Sequence, residues 1–356
     1  MNSRVTPMKI ALIGLGRISR KHIQAIDALG SDQIQLSAVC DIDEKKLLST
    51  QLPNEVEKFS DLGSLLKNCK IDTAVILTES GNHAAHGMMV ADHGINVVVE
   101  KPLATTLKDA DLLIKACSEK NVTLNVVKQN RFNPAVVKAK QALDSGSFGR
   151  LLMGSVRVRW CREQSYYDQA SWRGTWGMDG GVLANQASHH LDLLEWFFGD
   201  IKRVCAMGKN HIAQIEAVDT CNALIEFESG ATGVVEATTA TQPVDLEGSL
   251  SILGTEGAVE IGGFAVNQLK TWKFRDHELS HTEMMQASTT PDNVYGFGHI
   301  EFYKQLVQQF RTGRGNLVDG LEARRSLELI TAIYEAMETK RHVNLRFTPQ
   351  LSKFGV

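Results

Sequence analysis

Between Lys9 and Val127 the chain repeats one pattern, a short apolar run followed by a break and then a stretch with helical spacing. The apolar runs are Lys9 to Ile13, Gln35 to Cys40, Asp72 to Thr78, Asn96 to Val99 and Thr123 to Val127. Helical stretches fall at Ile18 to Leu29, from Glu44 onward, at His83 to His93 and at Leu107 to Lys120. Strands separated by helices cannot pair as hairpins, so each returns parallel to the last through a crossover. Five such strands predict a doubly wound α/β domain of Rossmann type, whose ligands sit beyond the carboxyl ends of the strands.

After Asn133-Pro134 the texture changes. A linking helix over Val136 to Leu143 precedes runs that alternate apolar and polar residues: LMGSVRVRW, RVCAMGKN, CNALIEFESG, ATGVVEATT, GSLSILG and GAVEIGG. Short breaks at Ser229-Gly230 and Gly254 to Gly257 fit antiparallel hairpins. Further helices are expected at His189 to Phe198, Glu301 to Phe310 and Leu321 to Lys340. The expected organisation is an α/β Rossmann domain over 1–130 and an α+β domain over 131–356 with a large, mostly antiparallel sheet. A chain of 356 residues also exceeds what one ordinary core supports.

Charge excludes whole classes of partner. With 38 basic and 41 acidic residues the formal charge is -3, which draws the chain toward neither nucleic acid nor an anionic membrane. No apolar run approaches the roughly 18 residues of a membrane span. The opening MNSRVTPMKI has no apolar signal core, and six scattered cysteines without a CxxC pair suit a reducing compartment. A cytoplasmic protein is expected.

Three places carry chemistry. In IALIGLGRIS, Gly14-Leu15-Gly16 follows a strand and opens a helix, the context in which such a turn binds a dinucleotide. Gly14 permits the tight turn, Gly16 lets a pyrophosphate approach backbone N–H groups, and Ser19 takes the place of the third glycine. Asp41, at the end of the second strand, can accept from ribose hydroxyls and would repel a 2′-phosphate, which favours NAD over NADP. The second place is Glu100-Lys101-Pro102, just past an apolar strand, where Lys101 can steady alkoxide charge on a substrate. The third is GGVLANQASHHLD, Gly180 to Asp192. With Ser188 as N-cap, His189 falls in the first helical turn, whose dipole disfavours imidazolium by roughly 0.3–1 kcal/mol. A neutral His189 can take a proton at pH 7; His190 reads as a structural histidine.

Arg157, Arg159, Arg162 and Arg173 stand among Trp160, Tyr166, Tyr167, Trp172 and Trp176. Guanidinium forks suit carboxylate or diphosphate, and flat rings suit a base or sugar face. Arg157 and Arg159 fit equally well as the solvated face of a strand, whereas Arg162 and Tyr166 lie in the following loop.

With these segments together, the chain resembles the glucose–fructose oxidoreductase / inositol dehydrogenase / rhizopine-catabolism (Gfo/Idh/MocA) family. The resemblance spans essentially the whole length, including NVYGFGH and DGLEARRSLELITAIYEAMETKRHV. The family often carries GGGxLxDxGxHxxD, with the aspartate and histidine in the active site. On that pattern His189 matches the histidine, Asp192 the final acid, and Asn185 stands where aspartate is usual. A neutral Asn185 orients but adds no charge, so proton removal rests more on Lys101 and His189.

The segments VVKQNRFNP, QSYYDQASWRGTWGMDGGVLANQASHHLDLLEW and DLEGSLSILGTEGAVEIGGFAVN are similar to one bacterial subgroup. Its members oxidise the 3-hydroxyl of UDP-2-acetamido-2-deoxyglucuronate with NAD, toward a diacetamido-uronic acid of surface polysaccharide such as O-antigen. The resemblance implies a UDP-sugar substrate, a homotetramer and a downstream aminotransferase. It implies cofactor contacts from Gly14, Gly16, Arg17, Ile18, Asp41, Thr78, Ser80, Asn82, His83, Glu100, Lys101, Gln129, Trp172 and Arg173. Substrate contacts are implied for Lys101, Arg131, Arg162, Tyr166, Asn185, Ser188 and His189, with Lys101 and His189 catalytic. Three rival readings are a dehydrogenase of another sugar or a cyclitol, a non-catalytic NAD or sugar regulator, and a metal-dependent hydrolase. The last would use His83, His86, His189, His190 and Asp192, although no metal is expected.

Overall fold

The structure is a computed structural model that describes residues 6–275, 278–290 and 296–345. The chain forms two compact units. Among the described residues, one holds the chain through Lys128 together with His299–Arg324; the other holds Gln129–Gly298 and the described residues that follow Arg324. The division expected at residue 130 therefore differs in one respect: His299–Arg324 returns to the first unit instead of completing the second.

The first unit is built on a seven-stranded sheet. Its order is Val318–Asp319, Leu124–Val126, Asn96–Val99, Thr73–Ile76, Met8–Ile13, Ile34–Cys40 and Glu57–Phe59. Six strands run parallel, and the returning Val318–Asp319 lies antiparallel at the edge. All residues of Thr73–Ile76 are buried, as a strand covered on both faces requires. The strand order reverses beside Met8–Ile13, which puts the ends of Met8–Ile13 and Thr73–Ile76 at a topological switch point. All five expected strands are present; Glu57–Phe59 and the helix Leu62–Asn68 were not expected. The strand EKF exposes two charged residues and has no apolar period to read.

The second unit holds an eight-stranded sheet. Its order is Gln268–Phe274, Gly257–Gly262, Glu247–Gly254, Leu151–Arg159, Thr232–Thr238, Thr220–Phe227, Ile201–Lys209 and Val343–Asn344. Only the pair Leu151–Arg159 and Thr232–Thr238 is parallel. Along Thr220–Phe227 the residues Cys221, Ala223, Ile225 and Phe227 are buried while Asn222 and Leu224 are exposed, so one face is packed and one is not. Arg157 and Arg159 project from the less buried face and pair across strands with Glu247 and Glu236, at 3.3 and 2.6 Å.

The helix Ser188–Phe198 packs Leu191, Leu193, Leu194, Phe197 and Phe198 into this unit's core. Each such side chain contributes roughly 1.5–3 kcal/mol on burial. The expected N-cap at Ser188 is corrected by the structure: Ser188 is already helical, Ala187 precedes it, and no side chain caps the helix. Packing, not capping, holds it. The strand Gln268–Phe274 and the helix His281–Gln286 were also not expected, and Asn293 to Tyr295 of NVYGFGH lie outside the described residues.

Candidate active site

The Gly-rich turn is held by contacts of its own. Gly14 has φ +102°, and a Cβ there would come within 2.8 Å of the Leu77 carbonyl oxygen, so no other residue fits. Gly16 differs: a Cβ there would meet no atom within 4 Å, so packing within the chain does not demand glycine. The cradle left above its backbone is what a pyrophosphate at a helix N-terminus needs, and in this respect the residues fit NAD. Ser19, buried, donates its hydroxyl to the Gly16 carbonyl at 2.7 Å and accounts for a small residue in the third-glycine position. Asp41 accepts from the Leu15 N–H at 2.7 Å and from the Asp43 N–H at 2.9 Å, tying the turn to the end of the second strand. Arg17 is exposed and half-buried Ile18 precedes the helix Ser19–Leu29.

The loop after Thr73–Ile76 brings Thr78, Ser80, Asn82 and His83 close to the end of Asn96–Val99. His83 is buried, with Nδ1 2.7 Å from the Pro102 carbonyl oxygen and Nε2 3.0 Å from that of Thr78. Burial pushes its pKa down, against the pull of the two carbonyls. Thr78 bonds His86 at 3.0 Å and Asn82 donates to Glu79 at 3.2 Å. Two of the four histidines of the hydrolase reading, His83 and His86, are thus spent on carbonyls and a hydroxyl. The Lys101–Pro102 peptide is cis.

Glu100 turns inward. Its Oε1 lies 3.0 Å from His22 Nε2 and 3.6 Å from His299 Nε2, and its Oε2 accepts from the Lys101 N–H at 3.0 Å. His22 Nδ1 is 2.7 Å from the Tyr303 hydroxyl. A carboxylate only accepts, so His22 donates through Nε2–H and Nδ1 accepts from Tyr303. Burial would raise the Glu100 carboxyl, but the His22 hydrogen bond and the neighbouring His299 imidazole outweigh it and hold it well below the usual range. Burial pushes His22 down, so it is neutral at pH 7 even beside the carboxylate. Among the described residues, His22, Glu100 and His299 are the group whose donor atoms converge as metal ligands do.

In the second unit, Gly180 and Gly181 both have positive φ, and a Cβ on Gly181 would come within 2.7 Å of the Val218 carbonyl oxygen. They lead into a π-helical turn, Val182–Gln186, immediately before Ser188–Phe198. Tyr334 ties that turn down by donating to the Gly180 carbonyl and accepting from the Leu183 N–H at 3.3 Å. Such turns recur at functional sites because they re-aim side chains.

Asn185 donates to Asp179, a carboxylate not singled out from the sequence. Asp179 also accepts from the Gly174 N–H at 2.9 Å and the Gly181 N–H at 3.3 Å. Burial raises its carboxyl, only partly offset by these donors. The charge absent at Asn185 therefore stands six positions earlier. Asn185 Oδ1 in turn accepts from Gln186, whose amide also reaches the Tyr166 hydroxyl at 3.0 Å. Arg173 donates to the same hydroxyl and lies over the Tyr166 and Trp172 rings at 4.3 and 4.7 Å.

His189 and Ser188 are both buried, and no partner among the described residues reaches the Ser188 hydroxyl. His190, also buried, packs edge-on to Trp160 and is pushed down to about 4 by burial, in keeping with a structural role. Arg131, expected on substrate, grips Asp192 in a two-pronged pair at 2.8 and 3.0 Å and covers the Trp196 ring. Its fork is filled, so Asp192 pairs with Arg131 within the fold. Arg162 bonds Asp245 at 2.8 Å and lies over Trp160 and Tyr166. Gln129 is buried with its Oε1 unmatched among the described residues.

Comparison with known proteins gives this arrangement a family. The oxidoreductase family with NAD-binding Rossmann fold matches residues 8–128, and the GFO/IDH/MocA C-terminal domain matches residues 136–260. The chain is similar to the WlbA dehydrogenase from Bordetella pertussis, solved in complex with NADH and UDP-GlcNAcA. Identity is 39%, the TM-score is 0.92, and the match covers 98% of this chain and 100% of that one. WlbA from Chromobacterium violaceum, solved with the same two molecules, is 36% identical with a TM-score of 0.91 and 98% of each chain covered. The D-apiose dehydrogenase of Paraburkholderia graminis is 25% identical over 354 residues, 96% of this chain and 91% of its own length. These matches set the hydrolase reading aside. The chain belongs to the GFO/IDH/MocA oxidoreductase family and is an NAD-dependent sugar dehydrogenase, its first unit the NAD-binding domain.

Proposed function

We propose that the chain oxidises the 3-hydroxyl of UDP-2-acetamido-2-deoxyglucuronate to the 3-keto sugar. The observation that carries this reading is the full-length likeness to WlbA, at 39% identity, a protein solved with NADH and UDP-GlcNAcA. Bound NAD+ supplies the hydride acceptor. Lys101 hydrogen-bonds the reacting hydroxyl and steadies negative charge on its oxygen. His189, in the first turn of Ser188–Phe198, takes the hydroxyl proton. Asn185, held by Asp179, orients the sugar, and the orphaned Ser188 hydroxyl donates to it. Arg173 and Tyr166, with Trp172, form an aromatic and cationic patch suited to a nucleotide sugar.

Subunits pair over the less buried face of the eight-stranded sheet and give a tetramer; Met207 is 77% exposed and Leu224 59% exposed there, more than a solvated sheet face favours. An aminotransferase then consumes the 3-keto product. The test is NADH formation from NAD+ with UDP-GlcNAcA, D-apiose and myo-inositol in parallel, each repeated with a 2-oxo acid so that tightly held NADH is recycled. Turnover with UDP-GlcNAcA alone is expected; turnover only with a free sugar or cyclitol overturns the substrate. Native mass spectrometry reads the assembly.

A further inference from the structure

We propose that Tyr303 and His22 are positioning residues that fix the main chain of Lys101 through Glu100, with Tyr303 holding the His22 ring in place. The inference rests on the reading above in which Lys101 meets the substrate hydroxyl. The links run in one direction. The Glu100 carboxylate, which only accepts, keeps the imidazole proton on Nε2, and the Tyr303 hydroxyl, 2.7 Å from Nδ1, donates to the lone pair on that side. That Nε2–H, 3.0 Å from Glu100 Oε1, can only donate to the carboxylate. The carboxylate then presents Oε2 to the Lys101 N–H at 3.0 Å. On the far side, His83 Nδ1 holds the Pro102 carbonyl at 2.7 Å, so the stretch bearing Lys101 is gripped at both ends.

Without the Tyr303 hydroxyl, His22 Nδ1 is a buried acceptor with no donor and the ring is held from one side only. The ring then turns, and Glu100 loses the orientation in which it holds the Lys101 N–H. The network sits wholly within buried structure: His22 is 0% exposed, Glu100 6% and His299 3%. At such burial each link counts for more than it would in water, and the arrangement of protons follows from these side chains. His299 packs edge-on to His22, with ring centroids 5.0 Å apart, and closes the pocket around the carboxylate. His22, Glu100 and His299 are also a set that a transition metal accepts, but 3.0 Å is the length of a direct N–H···O bond, and the second carboxylate oxygen is committed to Lys101.

The experiment uses the full chain with NAD+ and UDP-GlcNAcA and compares Tyr303→Phe, His22→Ala, His22→Gln and Lys101→Met. In Tyr303→Phe and His22→Ala, kcat is expected to fall about tenfold to hundredfold, the cost of misplacing a reacting group. KM for NAD+ and the affinity for NADH stay at the wild-type value. His22→Gln, whose amide nitrogen can donate where Nε2 did, restores most of kcat. Nitrogen NMR of labelled histidine is expected to show His22 as the Nε2–H tautomer throughout, with the Nδ1 resonance shifted in Tyr303→Phe by loss of its hydrogen bond, whatever the substrate. Wild-type kcat in Tyr303→Phe and His22→Ala beside an inactive Lys101→Met overturns the positioning role. A folded His22→Gln as slow as His22→Ala, an unmoved Nδ1 resonance in Tyr303→Phe, or one zinc per purified chain overturns it as well. Full turnover in Lys101→Met instead removes the catalytic reading beneath it.

Discussion

Glu100 in the first unit and Asp179 in the second are both buried carboxylates that accept backbone N–H groups, yet they are pushed in opposite directions. Burial alone raises both. At Glu100 the imidazoles of His22 and His299 outweigh it; at Asp179 the peptide N–H groups of Gly174 and Gly181, the Asn185 amide and the Arg173 charge do not. The kind of donor therefore decides the sign, and the two units store opposite dependences on pH. The Glu100 contribution to stability is present above its ordinary 4.5 and is lost as pH falls through its depressed folded value. The Asp179 contribution is present below its ordinary 3.8 and is lost as pH rises through its raised folded value.

Replacing Lys101 by Met separates holding from chemistry and carries the largest effect. Turnover falls about 10²–10³-fold, as for loss of one group stabilising an oxyanion. Thermal midpoints below pH 4.5 should match the wild type; a changed acid profile breaks the assignment of that slope to Glu100.

Next in size is His190, which overlies the comparison. Its pKa is pushed down to about 4, so its contribution is present above 6.5 and is lost as pH falls toward 4. That slope is worth about 3 kcal/mol, and His190→Gln should remove it from calorimetric melts taken at stepped pH. Glu100→Gln comes third. It lowers stability at pH 7 by about 2 kcal/mol, the scale of hydrogen bonds to a charged group, and flattens the fall below pH 4.5. A denaturant midpoint unmoved at both pH values breaks the account of Glu100. Asp179→Asn is the smallest, within about 1 kcal/mol at neutral pH, because the amide oxygen still accepts from Gly174. Its signature is direction: the decline in stability as pH rises above 3.8 should be shallower than in the wild type.

Much of the first unit was legible because parallel strands with two covered faces give unbroken apolar runs. Met8–Ile13, Ile34–Cys40 and Asn96–Val99 all lie close to their expected limits. The turn at Gly14 and the position of Lys101 could be read for the same reason. What holds Lys101 could not. His22, His299 and Tyr303 sit on two helices far apart in sequence, and helical spacing marks the buried side of a helix without naming the strand end it meets. His22 does carry one signal, a histidine on the inward side of Ser19–Leu29 beside Ala25 and Ile26. Asp179 was missed for a different reason: MDGG reads as a polar turn, and only the structure shows the carboxylate buried against Asn185. The Arg131–Asp192 pair could not be read from the sequence, because an arginine fork suits a carboxylate in the fold as well as one on a ligand and Asp192 lies 61 positions away.

The return of His299–Arg324 to the first unit has a consequence for synthesis on the ribosome. Translation delivers the nucleotide-binding half first, but its edge strand Val318–Asp319 and the hydroxyl of Tyr303 emerge only near the end. Until then Leu124–Val126 is an uncovered sheet edge, open to pairing with another nascent chain. An amino-terminal fragment ending at residue 130 lacks both, so this domain is begun first yet completed only after Gln129–Gly298 has been made.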